Sequence, residues 1–120
     1  MYKAFKILAI TELINDCFEG NRSGFTINSC LNAPESGYMV GTGKLEKHAV
    51  KGDDVEEYVS QVLIEMSTNN NIYLGGWMHN GKLIMEIASN FQNKGLATAF
   101  GLIKNQKAIW DVKNNQDINL

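Results

Sequence analysis

The side chains able to do covalent or proton-transfer chemistry are few: Cys17, Cys30, His48 and His79, with Glu86 and Asp111 as candidate acids on separate strand-like segments. A nucleophilic site needs a base within reach of a thiol or hydroxyl, and that base needs an orienting group. His79 flanks an Asn-Gly turn, where side chains point into water, and His48 sits in the charged segment Glu46-Lys47-His48. No spacing couples either histidine to a cysteine. A paired-carboxylate hydrolase wants two acids on facing elements, a role open in principle to Glu86 and Asp111, but strand alternation reads both as outward residues. Zinc needs further ligands than two isolated histidines supply, so no metal site is expected. Asp53, Asp54, Glu56 and Glu57 form the densest acidic group, and at a helix start they answer the dipole of that helix.

The segment Gly37-Tyr38-Met39-Val40-Gly41-Thr42-Gly43-Lys44-Leu45 imitates a phosphate-binding loop and fails on inspection. The first glycine of that motif would fall at Tyr38, and the hydroxyl that should follow the lysine is replaced by Leu45. No cofactor is implied. With the catalytic motifs set aside, the aromatic residues Tyr38, Tyr73, Trp77 and Trp110 become the candidate binding side chains, together with Glu86. Aromatics left partly exposed on a sheet are the usual anchors of protein interfaces.

Composition narrows the partners. The 120 residues carry a net charge of −2, with ten lysines but the single arginine Arg22 scattered among thirteen carboxylates. Nucleic-acid binders gather basic side chains on one face, so direct DNA or RNA binding is disfavoured. Apolar stretches such as Ile7-Leu8-Ala9-Ile10 are too short to cross a bilayer. The charged start Met-Tyr-Lys-Ala-Phe-Lys argues against a secretory leader and for a cytoplasmic protein. Two cysteines thirteen residues apart are then read as free thiols.

The elements that must position these residues follow from periodicity. Residues 3–18 suit a helix through Ile7, Ile10, Ile14, Cys17 and Phe18, with Gly20 as its cap, although the run Ile7 to Thr11 would also suit a strand. Phe25 to Asn28 and Tyr38 to Val40 read as short strands, the second running to Thr42 or resuming at His48-Ala49-Val50. A helix capped by Asp53, with Glu56 completing a capping box, carries the stripe Val55, Tyr58, Val59, Val62, Leu63 and Met66. Asn80-Gly81 joins strands Ile72–Met78 and Lys82–Ala88 into a hairpin that faces Met78 with Leu83, Trp77 with Ile84, and Gly75 with Glu86. A helix over 93–104 is expected to turn Leu96, Ala99, Phe100 and Ile103 inward, ahead of a last strand over 107–112 and a polar turn. The expectation is one α+β domain over 1–120: an N-terminal helical addition over 1–20, then β-β-α-β-β-α-β over 24–118. One mostly antiparallel sheet is packed by the helices.

Four phrases occur in order: Gly24-Phe25-Thr26-x-Asn28, Ser36-Gly37-Tyr38-Met39-Val40, Gly75-Gly76-Trp77 and Asn105-Gln106-Lys107-Ala108-Ile109-Trp110-Asp111. On these the chain resembles a group of small accessory proteins of phages, prophages and other mobile elements. It departs from them at Cys30-Leu31-Asn32, where a Thr-Gly turn is expected, which bears on the first hairpin. The resemblance implies a non-enzymatic protein, acting in the bacterial host cell by occupying a surface of a host defence protein, as anti-CRISPR and other counter-defence inhibitors do. A homodimer is expected. The alternatives are a domain that sequesters a signalling nucleotide, with Arg22, Lys44 or Lys107 on phosphate and Trp77 stacking, or a small enzyme built on a Cys–His or Glu–Asp pair.

Overall fold

The computed structural model describes residues 2–120. It is an α+β fold of three helices and one seven-stranded sheet in which every strand pairing is antiparallel. In chain order the elements are α1 (Tyr2–Phe18), β1 (Gly24–Ile27), β2 (Tyr38–Gly41), β3 (Lys47–Ala49), α2 (Glu56–Met66), β4 (Ile72–His79), β5 (Lys82–Phe91), α3 (Lys94–Ile103), β6 (Ala108–Asp111) and β7 (Gln116–Asn119). The strands lie side by side as β1-β4-β5-β2-β6-β7, with β3 added alongside β5.

The helix expected at the N-terminus forms, and it ends as its sequence requires. Gly20 takes φ 81°, and the Gly20 and Asn21 amides donate back to the Cys17 and Asp16 carbonyls, which closes the last turn. Although the resemblance begins only at Gly24, α1 is part of the core. Its Ile10, Ile14 and Cys17 are buried with Val59, Val62, Leu63 and Met66 of α2 and with Leu74, Leu83, Met85 and Ile87 of the sheet. Cys17 is buried and Cys30 exposed, both as free thiols.

The β4–β5 hairpin has the expected register: Met78 faces Leu83, Trp77 faces Ile84 and Gly75 faces Glu86. Asn80 and Gly81 both take positive φ, 50° and 80°, as a type I′ turn demands. Elsewhere the structure corrects the reading. The first hairpin, which the departure at Cys30-Leu31-Asn32 put in doubt, is absent: β1 pairs with β4 while β2 lies between β5 and β6. Of the two continuations open after Val40, the resumed strand forms, as Lys47–Ala49 paired with β5, and beyond the expected polar turn an unforeseen strand, Gln116–Asn119, pairs with β6. The order is therefore α-β-β-β-α-β-β-α-β-β. Asp53 does not cap α2: its carboxylate accepts from the Val50 amide, Asp54 accepts from Glu56, and the helix begins at Glu56.

The third helix also turns differently from expectation. Ala97 and Gly101 are its buried residues, with Phe100 half-buried, whereas Leu96, Leu102 and Ile103 are exposed. The small residues let α3 settle closely over Val40 and Ile109. A Cβ on Gly101 would stand 2.6 Å from Leu120 Cδ1 and 3.1 Å from Ile109 Cγ2. Gly101→Val should accordingly destabilise by about 1–3 kcal/mol, the usual range for overpacking, measured as a lower denaturation midpoint at unchanged m-value.

All three helices lie on one side of the sheet. Strand alternation puts Leu83, Met85 and Ile87 of β5 under α1 and α2, and Val40 and Ile109 under α3. Among the described residues, the other side carries no helix.

Candidate functional site

The residues on that open side are fixed by register. Trp77, Gly75 and Tyr73 of β4 lie opposite Ile84, Glu86 and Ala88 of β5. Gly41 of β2 stands opposite Ala88, and Met39 is paired with Asn90 on one side and Trp110 of β6 on the other. Asp117 of β7 faces Trp110. Tyr73, Trp77, Glu86 and Trp110 thus share a face. Tyr38 does not: it alternates onto the opposite side and packs with Phe91 and Phe100 under α3. The fold therefore does not bring Tyr38 together with the other four candidates.

This face holds a cleft of about 580 Å³ whose lining includes Trp77, Trp110, Glu86, Asp117, Gln106 and Met39, while Tyr73 lies outside it. The cleft exists because much of its floor carries little or no side chain. Gly41, Gly75 and Ala88 occupy the positions where a half-buried strand would ordinarily present β-branched or aromatic residues. Trp77 and Trp110 stand on strands three spacings apart, about 14 Å laterally at ordinary strand separation. Tyr73, Met39 and Ala88, backed by Trp110 and Val112, form a small apolar cluster at one end. Trp77 remains 44% exposed at the other. The cleft size is within the range of ligand sites.

Glu86 is the charged group of the floor, and only 7% of it is accessible. Its Oε2 accepts from the Gly43 amide at 2.9 Å. That amide is presented by the β2–β3 connection, which hydrogen-bonds to Ile87 on both sides, Thr42 N–H donating to the Ile87 carbonyl and Ile87 N–H to the Lys44 carbonyl. No donor among the described residues reaches Oε1. Burial raises the Glu86 carboxyl above its ordinary range, only partly offset by the Gly43 hydrogen bond. Gln106 contributes a second acceptor: a Cβ placed on Gly41 would collide with Glu86 Oε1 and lie 2.9 Å from Gln106 Oε1. Two acceptor oxygens therefore lie side by side over Gly41.

The other candidates lie apart. Asp111 alternates to the opposite face from Glu86, so the two acids do not converge. It closes the β6–β7 turn by accepting from the Asn114 side chain at 2.8 Å and the Asn114 amide at 3.2 Å, which holds its carboxyl below the usual range. His48 contacts Glu46, and His79 Nε2 lies 3.3 Å from the Asn80 amide nitrogen. No hydrogen bond among the described residues joins a histidine to a cysteine. No group of three metal-ligating side chains gathers among them either, and no helix is long and apolar enough to cross a membrane. Lys44 is paired with Glu65 of α2, and neither it nor Arg22 nor Lys107 lines the cleft.

Sequence reasoning missed Gln106, Asp117 and the glycine floor. Their signal was present in part, since Gly41 and Gly75 interrupt strands whose neighbours are bulky. No family description, curated protein or solved structure matches this chain.

Proposed function

We propose that the protein is a non-enzymatic binding protein, and that the helix-free face of its sheet is the surface that meets a partner protein. The observation that carries this reading is the convergence of Trp77, Trp110 and Glu86 on one cleft with a glycine-rich floor. Exposed aromatic side chains around a desolvated pocket are the usual makings of an interface hot spot. The ordered motifs of the chain extend the reading to a mobile-element protein whose partner is a bacterial defence component. A sequestered nucleotide is the weaker reading, because phosphate would meet Glu86 and Asp117 in this cleft and no lysine or arginine.

A photo-cross-linking amino acid at Ile84, on the open face beside Trp77, tests the proposal; Leu102, exposed on α3, is the control position. In bacterial lysate the Ile84 probe should yield a discrete adduct absent from the Leu102 probe. Excess unlabelled wild-type protein should compete it away, and excess Gly75→Val protein should not. An identical adduct pattern from both positions, or none specific to Ile84, would contradict the assignment.

A further inference from the structure

Charge and geometry define what this cleft can hold. Its lining carries two carboxylates, Glu86 and Asp117, and neither lysine nor arginine. Glu86 is more than nine-tenths buried as a residue, but its unpaired Oε1 is open to the cleft, and Gln106 Oε1 lies beside it over Gly41. Two acceptors side by side over Gly41 call for a donor-rich group above them, and a largely buried carboxylate calls for positive charge. Trp77 supplies the remaining wall. It pairs with Ile84, two residues from Glu86 on the same face of β5, and diagonal cross-strand neighbours sit roughly 7–8 Å apart. The Glu86 carboxylate reaches from β5 toward Gly41 and Gly43, so a long side chain lying across the indole along the cleft would carry a flat cation toward it.

We infer that the cleft receives an arginine side chain of the partner protein, its guanidinium stacked on Trp77 and donating to Glu86 Oε1 and Gln106 Oε1. The inference rests on the reading of this face as the contact surface. Arginine fits better than lysine because its planar fork can stack on the ring and donate to two separate acceptors at once, where an ammonium presents a compact, strongly hydrated point charge. Asp117, on the far rim, adds attraction for a positive segment flanking the anchor. The preference is opposite to that of a phosphate site.

The probe is N-acetyl-arginine N-methylamide, with the citrulline analogue as its uncharged near-isostere, titrated into ¹⁵N-labelled protein. Arginine should shift the indole N–H signal of Trp77 and the amide of Gly43, and citrulline should bind at least tenfold more weakly. Glu86→Gln and Gly75→Val should each reduce the arginine response at least tenfold while their spectra remain those of the folded protein. Equal shifts from citrulline, or an arginine response unchanged in Glu86→Gln, would overturn the inference. If arginine leaves Trp77 unmoved while the Ile84 cross-link still forms, the arginine anchor is wrong and the contact face stands. If the cross-link also fails, both fall.

Discussion

Gly75→Val should abolish partner binding without weakening the fold. Gly75 sits on the open face with nothing but the Glu86 carbonyl oxygen, at 3.8 Å, near the place a Cβ would occupy. A valine there meets ordinary van der Waals contact on one side and the cleft on the other. Replacing a strand glycine by a β-branched residue removes an entropic penalty of about 0.5–1 kcal/mol. The denaturation midpoint should therefore hold or rise. Binding should fall by two orders of magnitude or more, because the isopropyl group occupies the floor that the partner's anchor needs. Neighbouring glycines offer the contrast. At Gly76 a Cβ would lie 2.9 Å from the Phe25 ring, and at Gly24 it would strike the Gly76 carbonyl oxygen. Valine at either position should destabilise, so loss of binding there would carry no information about the cleft.

Glu86→Gln should stabilise the protein at neutral pH while losing the partner. Burial raises the Glu86 carboxyl above the ordinary glutamate value of 4.5. Below that value both the folded and the unfolded chain carry the proton, and wild type and variant should be equally stable. As pH rises through 4.5 the unfolded chain releases its proton first. The native state then binds more protons than the unfolded one, and wild-type stability falls with pH until the folded carboxyl also ionises. Glutamine keeps an acceptor for the Gly43 amide and has nothing to ionise. Melting curves of the two proteins should coincide at about pH 4 and separate toward pH 7 in favour of the variant. A variant less stable than wild type at pH 7 would mean that the native fold relies on the charge. A residue whose ionised form costs stability and whose removal costs affinity is how a site, rather than a packing element, behaves.

How far these features could be read in advance depends on whether each is local. The β4–β5 hairpin was legible residue by residue because Asn80-Gly81 sets the turn and a period of two does the rest. The same alternation places Trp77, Gly75 and Glu86 on one face before any coordinates are known. The cleft was not legible, since it also needs β2 and β6 beside β5. Those neighbours are brought in by connections with no signature in the chain. Tyr38 went astray for the same reason: its type suits an interface, but the register of β2 turns it under α3. On α3 the bulkier stripe Leu96, Ala99, Ile103 outweighed Ala97 and Gly101 on hydrophobicity, whereas the close seat over Val40 and Ile109 admits only the smaller side chains. β7 escaped notice because Gln116, Asp117 and Asn119 are polar, and only Ile118 reaches the packed side.

Both tryptophans of the chain, Trp77 and Trp110, lie on the proposed contact face, so the intrinsic emission of the protein reports on that face alone. Acrylamide quenching of this emission, compared between the free protein and its complex with the cross-linked partner protein carrying no tryptophan in the bound segment, is the most direct measurement. Complex formation should shield both indoles and lower the quenching constant at least threefold. A tight complex with quenching unchanged from the free protein would place the partner on another surface and contradict it.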